Sequence, residues 1–356
     1  MTTEPLPSAA EPTHLTEALR RAGALGDARV RAVEVISTRP TILSHIVRLR
    51  LDYDGAPGAA PATLILKTAH PARRMPGWNA GRQEVAFYNQ VAGAMQRRVV
   101  PRCFEGHWEK QGEDVTWHLL LEDLTESHAA ATAWPVPPAT AQRERILAAW
   151  AQFHAAWWDD PRLGSSVGTW SDRDGMTRYL ERFSEELKRF SDRLGDRLSR
   201  ERRDLYEQLI AAGARLNERT LGRRHMTIVH GDAHFWNCFV PKDGADGEVL
   251  LFDWDSWRLD PATDDLAYMM AMHWYPEFRQ RVEKPALDCY HAELLAGGVR
   301  GYDRAALGND YRLSVLWHIA TPMWQASINV PPVIWWNNLE RIFMAVDDLD
   351  CRDLLS

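Results

Sequence analysis

Cysteine is scarce in this sequence: 356 residues contain four, Cys103, Cys238, Cys289 and Cys351, with no C-x-x-C pair among them. That pattern fits neither a disulfide scaffold nor a zinc site and predicts reduced thiols in a cytoplasm. Long apolar runs are missing too. No stretch approaches the ~20 apolar residues of a membrane helix, and the opening MTTEPLPSAAEP lacks a basic start followed by an apolar run. The expectation is a soluble, unexported cytoplasmic protein without a membrane partner. A basic excess is also absent: the net charge is −7, which argues against a nucleic-acid partner held through phosphates. No internal repeat occurs. What the chain has in quantity is tryptophan, 16 residues or about 4.5% where ~1% is a common expectation, so any account of function has to place these rings. With 45% hydrophobic and 26% charged residues the chain is globular, and its length allows two domains of ~150 residues each.

Residues 1–12 are rich in Pro, Ala, Ser and Thr and are expected to be a flexible lead. Leu15, Ala18, Leu19, Ala22 and Leu25 then follow helical spacing after a candidate cap at Thr13. The period changes at Val33 and Val35, in HIVRLRL (45–51) and in TLILK (63–67), all of which read as strands. EVAFYNQVAGAM (84–95) reads as a helix and VTWHLLLEDL (115–124) as a further strand. Past the break WPVPPAT (134–140) the character becomes helical: Ile146, Trp150, Phe153 and Trp157 share one face, and Phe183, Leu187, Phe190, Leu194 and Leu198 repeat the pattern within a charged segment. A strand–loop–strand signal covers 227–252, and the rest is helical with proline breaks at Pro276, Pro285, Pro322 and Pro331. The expected organisation is a lead (1–12), a β-rich lobe (13–125) and a mostly helical lobe (126–356), an α+β fold.

The densest chemical signal is IVHGDAHFWNCFV (228–240), a β-type run broken by His230, Gly231 and Asp232, with Asn237 five residues after the aspartate. Phosphoryl transfer needs a carboxylate to orient and accept the proton of the attacking hydroxyl, together with oxygen ligands for magnesium. Asp232 suits the first role and Asn237 the second. Sixteen residues further on, LLFDWDSW sets Asp253 at the end of an apolar strand, where a carboxylate can chelate a metal that bridges nucleotide phosphates. Upstream, Lys67 closes TLILK and Glu84 begins a helix seventeen residues later; a strand lysine held by a helix glutamate is the pair that fixes ATP phosphates. Taken singly, Lys67 also fits a solvent-side strand cap, and Asp232 with Asn237 a polar turn. The four elements in this order point to phosphoryl transfer.

These residues carry a resemblance to the aminoglycoside phosphotransferase and choline kinase superfamily, with its bilobal protein-kinase-like fold, and within it to the ecdysteroid-kinase-like branch. The matching pieces are LILKTA, RQEVAFY, VVPRCFEG, LLLEDL, FHAAWW, HGDAHFWN, LFDWD and DDLAYMM, spread from about residue 40 to 275. The resemblance implies Asp232 as catalytic base, Asn237 and Asp253 as Mg2+ ligands, and Lys67, held by Glu84, on the phosphates of ATP. It further implies adenine contacts from the backbone of Glu122 and Leu124, and His230 and Asp265 as braces of the catalytic loop. Two departures matter. No G-x-G-x-x-G precedes Lys67; the segment in its place is STRPTILSH (37–45), whose Ser and Thr groups, Ser44 among them, and backbone amides have to cover the phosphates. Only seven residues, Asp255 to Pro261, lead from the metal strand towards DDLA, which leaves no room for a peptide-docking activation segment. A hydroxylated small molecule is therefore the expected acceptor, and no protein substrate is expected.

The helical lobe concentrates Trp236, Trp257, Trp274, Trp317, Trp324, Trp335 and Trp336. Such rings stack on sugars, enclose apolar polycycles or attract an ammonium group, and they equally fill cores. His234, Asp255, Trp236, Trp274 and Trp324 are the candidate acceptor contacts. An antibiotic-modifying kinase and a choline-like kinase are alternatives within the same chemistry, and a catalytically silent nucleotide-binding regulator is the alternative of another class.

Overall fold

The first helix, α1 (Pro12–Arg21), opens with a proline at a position where the missing N–H has no helical partner to lose. Glu11 occupies the N-cap in place of the expected Thr13, and Ala9 and Ala10 are already buried ahead of it. Two small apolar side chains within the expected lead 1–12 thus find a place in the core. The computed structural model describes residues 7–41, 44–70, 81–95, 97–242 and 247–356, so the start of that lead lies outside the described residues. The chain divides into two units, Met1–Ala129 with Phe239–Ser256, and Ala130–Cys238 with Trp257–Ser356.

In the first unit five antiparallel strands, β1 (Arg29–Pro40), β2 (Ser44–Asp54), β3 (Thr63–Ala69), β4 (Cys103–Gln111) and β5 (Asp114–Glu122), form a sheet in the order β1-β2-β3-β5-β4. Strand alternation decides what each face carries. Leu64 and Leu66 of β3 join Val47, Leu49, Leu120 and the α1 residues Leu15 and Leu19 in one core, whereas Ile65 and Lys67 turn to the opposite face and line a cavity. Helix α2 (Arg82–Gln90) supplies Glu84 and stops short of the expected 84–95, its tail being a 3-10 turn. It starts after Gly81, whose φ is +74° and where a Cβ would fall 2.2 Å from the Trp117 ring, so only glycine fits.

The second unit is helical: α3 (Thr140–Ala156), α4 (Arg173–Leu194), α5 (Arg200–Leu216), the short α6 (Glu218–Leu221) and α7 (Thr263–Ala267), then α8 (Pro276–Ala296), α9 (Arg304–Trp317), α10 (Ala320–Ser327) and α11 (Pro332–Asp348). Ile146, Trp150 and Phe153 of α3 are fully buried, and Phe183, Leu187, Phe190 and Leu194 of α4 are buried, so the helical spacing reports true core faces. Two of the expected proline breaks are absent. Pro285 sits inside α8 without ending it, at the loss of one backbone hydrogen bond, and Pro322 lies in the first turn of α10, where its N–H would have no helical partner. Pro276 and Pro332 begin helices. A two-stranded ribbon pairs Thr227–Val229 with Arg258–Asp260 and leads directly into the loop that carries Asp232.

Candidate active site

In the first unit the structure brings Lys67, Glu84 and Asp253 together. The Lys67 Nζ lies 2.7 Å from Glu84 Oε2 and 2.5 Å from Asp253 Oδ1. Burial alone would lower the lysine pKa, but the charges of Asp253 and Glu84 outweigh it and hold the ammonium above its ordinary value. Burial in turn raises the Glu84 carboxyl, against the pull of Lys67 and of the Trp254 backbone N–H. Asp253 is delivered by Leu250–Leu251, where the Leu251 N–H bonds to the Val99 carbonyl at 2.8 Å. It has a φ of +72°, a region costly for a residue with a side chain. Next to it, Trp254 stacks on Phe87 of α2 at 3.9 Å and 6°.

A cavity of about 370 Å³ opens over Lys67, Glu84 and Asp253, with Ser37, Thr41, Ser44, Ile65, Leu121, Glu122 and Leu124 on its walls. Ser44 and Thr41 close the end of this wall on each other: their hydroxyls lie 2.8 Å apart, and Thr41 Oγ1 accepts from the Ser44 N–H at 2.9 Å. Ile42 and Leu43, within the segment expected to cover phosphates, lie outside the described residues. The Glu122 side chain is turned to Arg98 and to the Arg102 N–H, the latter at 2.6 Å. The Leu124 carbonyl already accepts from Ser127 and His128, at 3.1 and 2.9 Å.

In the second unit the Asp232 loop is held by hydrogen bonds. Asp265, fully buried, accepts from the backbone N–H groups of His230 and Gly231 at 2.7 and 2.9 Å, and pairs with His154 Nε2 at 3.2 Å. The His230 Nδ1 in turn accepts the Asp232 N–H at 3.2 Å, with Trp150 edge-on to its ring. The Asp232 carboxylate takes a 2.6 Å bond from the Tyr268 hydroxyl and a 3.1 Å bond from Asn237 Nδ2. Burial and the neighbouring Asp232 charge push the Tyr268 phenol well above its ordinary pKa, so it remains a neutral donor. With its nitrogen engaged, Asn237 presents its amide oxygen as a ligand atom. Carboxylate and carboxamide oxygens form a hard donor set, which suits Mg2+.

The expected acceptor residues separate. His234 Nε2 stands 3.6 Å from Asp232, and Trp236 packs beside the His234 ring at 5.3 Å. Trp274 is 2% exposed and stacked on Phe235, so it fills core. Trp324 is 41% exposed and lies on the wall of a second cavity of about 880 Å³, with Tyr179, Phe183, Trp317 and Met323. Asp255 belongs to the other unit and bonds with Ser256 at 3.2 Å. Two residues that sequence reasoning did not single out, Tyr268 and His154, touch Asp232 and Asp265. Both stand in strings already noted, DDLAYMM and FHAAWW, as lone polar groups in an apolar setting.

The sequence profile of the phosphotransferase enzyme family matches residues 52–307, and the chain belongs to that family. No curated protein matches it in sequence. Among solved structures, a Ralstonia eutropha protein, whose own assignment as an aminoglycoside phosphotransferase is provisional, is similar with a TM-score of 0.57 at 15% identity over 97% of this chain and 98% of that one. The Plasmodium vivax ethanolamine kinase gives 0.54 at 12% identity over 90% and 84%. A choline/ethanolamine kinase family protein from Mesorhizobium loti gives 0.51 at 12% over 96% and 91%. At such identities the likeness establishes the fold, a protein-kinase-like one with a β-sheet lobe and a helical lobe, as the sequence leads one to expect. No helix among the described residues is long and apolar enough to cross a membrane.

Proposed function

We propose that this protein is an ATP- and Mg2+-dependent phosphotransferase that moves the γ-phosphate to a hydroxyl of a small molecule. The observation that carries the reading is the Lys67 ammonium held between Glu84 and Asp253 on the wall of a cavity. Lys67 fixes phosphate oxygens and Glu84 holds it in place. Backbone groups of Glu122 and Leu124 contact adenine, Leu124 through its N–H since its carbonyl is occupied, and Thr41 and Ser44 cover the phosphates. Asp232 accepts the proton of the attacking hydroxyl, Tyr268 and Asn237 fix its rotamer, and Asp265 with His230 holds the loop. Asn237 and Asp253 would each supply an oxygen ligand to Mg2+, which would neutralise charge on the phosphates.

For the acceptor, a hydroxylated and partly apolar molecule, in line with the ecdysteroid-kinase-like resemblance, is favoured over a choline-like or aminoglycoside cation. The second cavity offers aromatic walls, and its Asp260 and Asp264 are paired with Arg258 and its Asp310 with Arg219. Glu186 is the one lining carboxylate without a cationic partner among the described residues, while Arg178 and Arg182 also line this cavity. The test is Mg2+-dependent ATP consumption against a panel of sterols, macrolides, sugars, nucleosides, aminoglycosides and choline-like amines, with Asp232→Asn as the blank. Stimulation by a neutral hydroxylated compound in the parent alone supports the reading, and stimulation by cations alone overturns the acceptor class. ATP binding with no turnover on any class transfers support to a silent regulator.

A further inference from the structure

We propose that His14, Glu105 and His118 form a binding site for a zinc-type divalent cation on the face of the first unit's sheet that carries α1. The three residues come from α1, β4 and β5. Both imidazoles aim at one oxygen: His14 Nε2 and His118 Nε2 lie 2.5 and 2.8 Å from Glu105 Oε2. The three ligand atoms are within 4.8 Å of one another. Two imidazole nitrogens and a carboxylate oxygen are the three-protein-ligand set that zinc takes with water as a fourth ligand. Bonds of ~2.05 Å at tetrahedral angles put ligand atoms ~3.3 Å apart, so the two His–Glu pairs have to open by less than about 1 Å. His14, with 32% of its side chain exposed, has the freedom to do so.

An ion-pair staple needs one imidazole on the carboxylate, and here the surroundings hold three. His107 stacks on His118 with centroids 5.2 Å apart and planes at 25°, and His14 meets the same ring edge-on at 5.3 Å. A cation would use the His14 and His118 rings and the carboxylate together. Arg21 pairs with the other Glu105 oxygen, which orients Oε2 towards the rings as an outer partner orients a ligating carboxylate. By strand alternation the site faces away from Lys67, although Leu119, next to His118, pairs with Lys67. Its occupation would lock α1 onto β4 and β5 and raise the stability of that unit by mass action.

The test uses the full chain without a histidine tag, stripped with chelator, titrated with Zn2+ by calorimetry and with Co2+ by absorption, alongside thermal unfolding. The expected result is one equivalent bound, tetrahedral Co2+ bands, a rise in Tm, and a tenfold or greater loss of affinity in His14→Ala, with the same loss in Glu105→Gln. His14→Ala truncates a half-exposed side chain and keeps the fold, so unchanged affinity in that variant, or no binding by the parent, overturns the site. Because the readouts are binding and unfolding, the outcome is independent of whether the protein turns over ATP.

Discussion

The two constellations are built from different materials. Around Lys67, three charged side chains meet in one partly closed place and carry a net negative charge before any ligand arrives. Around Asp232, the carboxylate is steered by a phenol and a carboxamide, and its loop is held by the buried Asp265 through the His230 and Gly231 N–H groups. Charges in a buried site are costly to separate and respond to pH and salt, whereas neutral donors fix a side chain's direction without altering its charge. The first arrangement suits gripping a polyanion, and the second suits keeping a carboxylate in one rotamer.

Substitutions can break this contrast. Asp232→Asn is expected to lower turnover about 10³-fold while leaving the affinity for ATP, measured by calorimetry, within a factor of a few; comparable activity would remove Asp232 as the base. Lys67→Met leaves Glu84 buried and unpaired and should cost about 3–5 kcal/mol in urea unfolding. Lys67→Met combined with Glu84→Leu should recover most of that loss, and a double mutant no more stable than the single one contradicts a charge-held site. Asp265→Ala strands the His230 and Gly231 N–H groups and should cost about 3 kcal/mol, with no rescue from added salt. Tyr268→Phe should reduce kcat by about tenfold, roughly the worth of one hydrogen bond to a charged group, with KM unchanged; a shift in KM alone would mean that the phenol contacts substrate instead.

The smallest effect is one of pH. Glu105 has an ordinary carboxyl pKa of 4.5 and is held at about 2 in the fold. A depressed folded pKa means stability that is fully present above 4.5 and is lost as pH falls towards about 2. Urea midpoints at pH 5 and pH 3 should therefore differ more in the parent than in Glu105→Gln.

Much of this was legible in the residues themselves. Lys67, Asp232 and Asp253 interrupt apolar strand-like runs, and a polar group in such a run has to answer to something. β3 and β5 were readable because both are enclosed between neighbours. β4 was not, since CFEGHWEKQ is an edge strand with few buried positions and so has little alternation to read. Tyr268 escaped notice because a tyrosine in DDLAYMM keeps helical spacing whether or not its hydroxyl works. Pro285 misled because helix α8 is long enough and packed well enough to absorb a missing hydrogen bond. Local pattern speaks for the backbone, and partners distant in sequence decide the rest.

The Phe87–Trp254 stack has a bearing on control. Phe87 lies three residues after Glu84 on α2, and Trp254 follows Asp253 directly, so one aromatic contact ties the helix to the strand end that carries Asp253. A swing of α2 that withdrew Glu84 from Lys67 would have to part these rings, at about 0.5–1.5 kcal/mol beyond the area they bury. The stack thus favours the placement of α2 in which Glu84 meets Lys67.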